Sequence, residues 1–346
     1  MWLLYKKEIK VIKKKWYSNM NLPPRKPCIK SREAMCKAAK KIGSKEFSMK
    51  KEVNDAKKAF SSITGHRHIE LLSSCDAAIM LVLKSLNGKV MIPDQGGWKG
   101  FKTLPRLFGL EIREIATKFG IIDPKYLEDK IQEEIPNALF LTSFAGYLAD
   151  QPVKKIHTVC KKLGVLLIED ASGAIGDEIL CKSKNADIII GSMGSPKIVN
   201  LYSGGFISTD NVDILETGRE IVRACKINPI TCAGIKEELK VAPHVIQILN
   251  YYTAIIKKEL NTVIHRKERG VCVGIKMDNI PKDIVKKAYI NGLKTNLGSP
   301  ILTLCPEYNR FMKPGLTIEL KKLNVLDIQE KEILKISKTL KHFAKI

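Results

Sequence analysis

The chain lacks any run close to the ~18 uninterrupted apolar residues that a membrane-crossing helix needs. Its first 20 residues, MWLLYKKEIKVIKKKWYSNM, also lack the apolar stretch of about 7 to 15 residues typical of a secretory signal. A soluble, cytoplasmic protein with no membrane partner is therefore expected. The nine cysteines include no C-x-x-C pair, and none stands at zinc-finger spacing from a histidine. An odd, scattered set of this kind reads as reduced thiols, most of them buried as small apolar residues. The six histidines have no metal-ligand spacing either, so no metal is expected. No fixed-period repeat or low-complexity tract is present.

What the sequence has in excess is positive charge. It carries 59 Lys and Arg against 36 Asp and Glu over 346 residues, a formal +23. That raises nucleic acid as a partner. Residues 1 to 60, however, hold 18 basic and 5 acidic side chains, leaving only +10 for the other 286. The excess thus concentrates in a basic, mainly helical N-terminal arm. Its first 20 residues could be an amphipathic helix, a polyanion-seeking tail, a solvated Lys-rich arm, or a stretch preceding a start at Met20.

Past the arm, short apolar blocks alternate with helical patterns. Expected strands are His68 to Leu72, Lys89 to Ile92, Leu110 to Ile115, Ala138 to Ser143, Val165 to Glu169, Asp187 to Ser192 and Gly205 to Thr209. Blocks such as VLLIE and ADIII are nearly all apolar, which fits strands buried on both faces of a parallel sheet. Helices are expected over Asp76 to Leu86 and Val153 to Leu163, the latter stopped by Gly164. The alternation implies right-handed crossovers and a doubly wound α/β layer structure with seven strands, the last two forming a return hairpin at the sheet edge. Beyond it, helices are expected near Ile214 to Lys226 and from Lys236 to Arg269, the second kinked or split by Pro243. Short strands (VCVGIKM, PILTLCP, GLTIEL) and helices near Pro281 to Ile290 and Ile328 to Phe343 then suggest a smaller α+β domain. The organisation read from this is an arm (1–60), a large α/β domain (61–235), and a long helix with a small C-terminal domain (236–346).

In such sheets chemistry gathers at the carboxyl ends of strands. Three places stand out. Ser73-Ser74-Cys75-Asp76 ends the first strand and opens a helix, where backbone N–H groups and hydroxyls suit a phosphate, although Ser-Ser is also an ordinary N-cap. Glu169-Asp170 ends VLLIED, where a carboxylate either meets a ligand or caps a turn. Ser192 ends ADIIIGS, with Lys197 five residues on and 27 after Asp170. An Asp, a Lys and a phosphate cup together suit pyridoxal 5'-phosphate (PLP): the Lys forms a Schiff base with the aldehyde, and the Asp pairs with the pyridine nitrogen.

From about Ile69 to Thr209 the order SSCDAAI, VMIP followed by Trp98, GYLAD, IEDASGAIG, SMGSPK and SGGFIST resembles the DegT/DnrJ/StrS aminotransferases, a fold-type-I PLP family known mainly for amino-sugar biosynthesis. The resemblance implies Lys197 as the Schiff-base lysine and Asp170 as the pyridinium partner. It implies phosphate binding by Ser192 with Ser74 and the Cys75 and Asp76 backbone beside it, and ring stacking by Trp98. It further implies an amino-acid donor, a keto acceptor and a homodimer. This chain departs from the family where Gly-Thr becomes Cys75-Asp76, where a cofactor-holding Gln becomes Gly173, and where a His becomes Ser143. The cross-subunit Asn-x-Arg segment is not recognisable between Asp210 and Lys240.

Two other classes stay open. One is a fold-type-I lyase or transferase acting on a tRNA-linked amino acid, which would use the basic arm. The other is a non-catalytic relative with a degraded site. Arg223, Arg266, Arg269 and Arg310 are candidates to grip a substrate anion, and His66 and His68 lie just before the first strand.

Overall fold

The computed structural model describes residues 20–281 and 283–344; most of the N-terminal stretch whose role was left open lies outside them. In chain order the elements begin with α1 (Ile29–Lys41), α2 (Met49–Thr64), β1 (His68–Leu72), α3 (Cys75–Lys84), β2 (Lys89–Pro93), α4 (Gly100–Thr103), β3 (Glu111–Ile115) and α5 (Pro124–Glu133). They continue with β4 (Ala138–Thr142), β5 (Phe144–Ala145), β6 (Ala149–Asp150), α6 (Val153–Lys162), β7 (Leu166–Asp170), β8 (Ile188–Ser192) and β9 (Gly205–Thr209). The last third holds α7 (Val212–Thr217), α8 (Arg219–Ala224), α9 (Pro229–Glu259), β10 (Val273–Lys276), α10 (Ile284–Ile290), β11 (Leu302–Cys305), β12 (Gly315–Ile318) and α11 (Glu330–Ala344).

The chain is an α/β protein built on a seven-stranded sheet of order β1-β9-β8-β7-β4-β2-β3. Only β9 runs antiparallel to its neighbours. The all-apolar strands are explained by two separate cores. Successive residues of one strand feed opposite sides: Leu139 and Leu141 enter one cluster and Ala138 and Phe140 the other, as do Ile189 against Ile188 and Ile190. Period-two alternation of side-chain direction, with both faces covered, removes any polar requirement from these positions. A small three-stranded antiparallel sheet, β10-β12-β11, forms the C-terminal α+β part. No helix among the described residues is long and apolar enough to cross a membrane.

Two expectations need correcting. The β8–β9 return hairpin does not end the sheet, because β1 pairs along β9 and takes the edge itself. Helix α9 is neither split nor confined to residues after Lys236: it runs 31 residues, starting where Asn228 caps the Ile230 N–H and Pro229 occupies the first turn, and it passes through Pro243 unbroken. Packing supplies the reason. Residues Gly176, Ala242 and Pro243 are in close contact, and α9 lies along α1 and α2, so tertiary burial outweighs the lost backbone bond.

A buried ion pair ties the N-terminal segment to this helix. Arg25 meets Glu238 at 2.8 Å, with side chains 2% and 0% exposed. Arg25 also donates to the Ile198 carbonyl at 2.7 Å, and Glu238 accepts from the Cys28 and Asn200 backbone N–H groups. Asn200 returns a bond to the Arg25 carbonyl. The loop just after Lys197 is thereby fixed. Glu238→Ala leaves the Arg25 guanidinium buried without its carboxylate, and urea denaturation is expected to register a loss of about 3–5 kcal/mol; a change below 1 kcal/mol would contradict this role.

Candidate active site

Four strand ends meet around one pocket. It is lined by Ser74, Cys75, Asp76, Trp98, Asp170, Ser172, Ser192 and Lys197 and has a volume of about 110 Å³, below the ~300–1,000 Å³ usual for small-molecule sites. Seven of the eight residues singled out from the sequence are therefore neighbours. Gly173 is the exception and does not line the pocket.

At one end of the pocket stands the N-terminus of α3. Ser74 caps it, accepting from the Ala77 N–H at 3.2 Å, and the first-turn N–H groups of a helix have no intrahelical acceptor. The hairpin strand β9 closes against this turn. A Cβ on Gly205 would lie 2.3 Å from the Ser74 carbonyl carbon and 2.5 Å from the Cys75 nitrogen. Only glycine permits that approach, which accounts for SGGFIST in chemical terms. Ser192 sits beside it at the end of β8, its Oγ accepting from the Gly194 N–H at 3.2 Å.

Asp170 ends β7 and is 5% exposed. Its Oδ1 accepts from the Ser172 hydroxyl at 2.5 Å and the Ser172 N–H at 2.9 Å. The Ser172 hydroxyl in turn accepts from the Ser192 N–H at 2.9 Å, so one serine links two strand ends. The sequence reading includes Ser172 in the segment Glu169-Asp170-Ala171-Ser172 without giving it a role, although its place two residues after the strand-terminal Asp is the signature of an Asx turn. Burial pushes the Asp170 carboxyl above its usual range, and the Lys197 ammonium and the Ser172 bonds pull it back. Burial pushes Lys197 below the ordinary amine range, with Asp170 opposing. The two groups stabilise each other's charged form inside a largely dry pocket.

The Asp76 side chain, a negative charge beside a presumed phosphate cup, has a partner. Its Oδ1 accepts the Trp98 indole N–H at 2.7 Å, which also orients the Trp98 ring, whose centroid is 5.6 Å from Lys197 Nζ. Cys75 is buried, and burial holds its thiol well above the usual range, hence protonated. Lys197 Nζ donates to the Tyr147 hydroxyl at 2.6 Å, a contact that the sequence reading did not anticipate. Arg269 pairs with Asp150 and Asp177, and Arg266 donates to the carbonyls of Lys257, Leu260 and Asn261. Arg310 is in a two-point ion pair with Glu319. His66 is bonded to Ser208. Among the described residues no group of three or more His, Cys, Asp or Glu side chains is arranged to hold a metal.

The DegT/DnrJ/EryC1/StrS aminotransferase family matches residues 29–228. The chain belongs to that family. Residues 243–341 match a different one, the MJ1341 family C-terminal domain. Among curated relatives, UDP-4-amino-4,6-dideoxy-N-acetyl-beta-L-altrosamine transaminase of Campylobacter jejuni serotype O:2 is 29% identical over 175 residues, 48% of this chain and 46% of that protein. The same enzyme of serotype O:23/36 is 25% identical over 172 residues, 48% and 45% of the two chains. The chain thus spans about half the length of the curated relatives it matches. Among solved structures, Helicobacter pylori PseC, an aminotransferase involved in pseudoaminic acid biosynthesis, superposes with a TM-score of 0.74 at 15% identity over 94% of this chain and 100% of that one. Ureidoglycine–glyoxylate aminotransferase of Bacillus subtilis gives 0.68 at 13%, over 94% and 93%. At such identities the likeness is one of fold, shared by enzymes with unlike acceptors.

Glu169, the neighbour of Asp170, points away from the pocket. Its Oε1 accepts from the Ser143 hydroxyl at 2.5 Å and the Cys181 N–H at 3.0 Å, while Oε2 has no partner. Burial pushes its carboxyl up to about 7. A carboxyl raised on folding favours the fold only while protonated, so its cost is absent at low pH, grows as pH rises from the unfolded value, and is complete above 7. Glu169→Gln is therefore expected to stabilise the protein by roughly 2 kcal/mol at pH 8 and by nothing near pH 4.5. Thermal melts at the two pH values check the sign; equal effects at both would refute it.

Proposed function

We propose that the protein is a PLP-dependent aminotransferase that moves an amino group from an amino-acid donor to a keto acceptor. The observation that carries this is the meeting of Lys197 and Asp170, both largely buried, in one pocket closed at its far end by Ser74, Ser192 and the α3 N-terminus. The residues fit the cofactor. Lys197 would hold its aldehyde carbon, Asp170 its pyridine nitrogen, the α3 turn with Ser74 and Ser192 its phosphate, and Trp98 one face of its ring. The Trp98 indole N–H binds one oxygen of the Asp76 carboxylate and fixes its direction. When bound, PLP supplies an electron sink that acidifies the substrate α-carbon.

The protein's own share of the work follows from its electrostatics. Asp170, kept ionised by Lys197 and Ser172 against the pull of burial, is suited to hold a proton on the ring nitrogen. Lys197, its amine pushed below the ordinary range by burial, is suited to carry a proton to and from the reacting carbon. The altrosamine transaminases support a sugar-derived acceptor. The same reading places the protein in the cytoplasm as a homodimer, with an arm over residues 1–60, a cofactor domain over 61–235 and a C-terminal part over 236–346. The step from one family match to the next falls between residues 228 and 243, and α9 begins in that gap at Pro229, which supports a second boundary a few residues earlier than 235.

Purified protein mixed with PLP is expected to become coloured, and borohydride should then fix the cofactor's mass on the peptide carrying Lys197. Lys197→Ala should abolish the label and cost about 10²–10⁴-fold in transamination from the lost proton transfer alone. Colourless protein without the added mass rejects the proposal.

A further inference from the structure

Tyr147 belongs to the tight β5–β6 hairpin and has φ +67°, a left-handed conformation that is strained for a tyrosine. Such strain persists where surrounding contacts over-determine a residue, and it concentrates at functional positions. The contacts here are many. The Tyr147 carbonyl accepts from the Val271 and Cys272 N–H groups at 3.0 and 2.9 Å. Its ring lies beneath two cations of the C-terminal part, the Arg310 guanidinium at 5.0 Å and the Lys321 ammonium at 4.6 Å from the ring centroid. Its hydroxyl meets Lys197 Nζ at 2.6 Å.

The opposite side of the ring explains Gly173. A Cβ built on Gly173 would lie 2.9 Å from both Cδ1 and Cε1 of Tyr147, a distance that carbon atoms do not tolerate. A side chain at 173 requires the ring to shift, and a shifted ring changes the reach of its hydroxyl to Lys197. The two positions compete for one volume.

We propose that Tyr147 is the positioning residue for Lys197, occupying from the neighbouring hairpin the volume that a side chain at position 173 would fill. The inference deepens the aminotransferase reading and rests on it for its purpose. Six other groups act on this pair: Asp170 from β7, Cys75 from α3, and Cys272, Arg310, Glu319 and Lys321 from the small C-terminal sheet and its loops. Burial keeps the phenol neutral throughout the working range. It accepts from the ammonium and can donate to the free amine, and the bond to the charged form is the stronger of the two.

Two measurements on protein dialysed free of PLP test this. Trace acetylation with acetic anhydride, read by mass spectrometry on the peptide carrying Lys197, gives the pH midpoint of its amine. Tyr147→Phe keeps the ring and removes the acceptor, and the midpoint is expected to fall by about one pH unit, the size of one hydrogen bond to a charged group. Tyr147 acting as packing alone would leave the midpoint where it is, which overturns the proposal. Separately, Gly173→Gln should lower the melting temperature, and adding Tyr147→Ala to it should restore most of the loss. A tolerated Gly173→Gln, or two losses that simply add, rejects that competition. Neither measurement needs bound PLP, so failure of borohydride labelling in the wild type would count against the cofactor reading and not against this pairing.

Discussion

An arginine and a glutamate without access to water hold the protein's distant segments together. Arg25 precedes α1, Glu238 lies in the middle of α9, and the bonds around them reach Ile198 and Asn200 in the loop that follows Lys197. Backbone bonds from Arg25 to Lys322, and from Asn324 to Pro23, bring the C-terminal part into the same knot. A buried pair of this kind adds little net stability compared with an apolar substitute, and its geometric demand is severe: each charge must find its partner or the fold does not close. The consequence is a Lys197 loop whose backbone is set by residues from both ends of the chain.

The pocket itself is governed by a related constraint. Burial disfavours the charged forms of Asp170 and Lys197, and each offsets the other's desolvation. Around them the departures from the family pattern come with local compensation. Asp76 is matched by the Trp98 indole, and the missing side chain at Gly173 by the Tyr147 ring.

The C-terminal part brings its own electrostatics to the pocket edge. Glu319, fully buried, binds Arg310 at two points at 2.7 and 2.8 Å, and Lys321 lies 3.5 Å from it. Both cations face Tyr147. Because these residues lie in the stretch matching the MJ1341 family C-terminal domain, the Tyr147 ring beside Lys197 is contacted by side chains from the part of the chain that matches a second family.

The sequence by itself determined what depends on neighbours in the chain. Apolar runs such as ADIII became strands because both sheet faces are covered, and Ser74, Asp170, Ser192 and Lys197 were legible because strand ends and helix starts announce themselves within a few residues. Trp98 was implied only by the family resemblance, while Pro243 misled because a lone proline weighs less than a helix face packed on α1 and α2. Tertiary structure alone decided the contacts between remote positions. Arg25 and Glu238 are 213 residues apart, Tyr147 and Lys197 are 50 apart, and the edge place of β1 depends on pairing with β9 across more than a hundred residues. No periodicity or spacing encodes these, because they arise from which surfaces the closed fold presses together. The physical reason is range: propensity and patterning act over a turn or a strand, and burial of charge and shape acts only once the chain is compact.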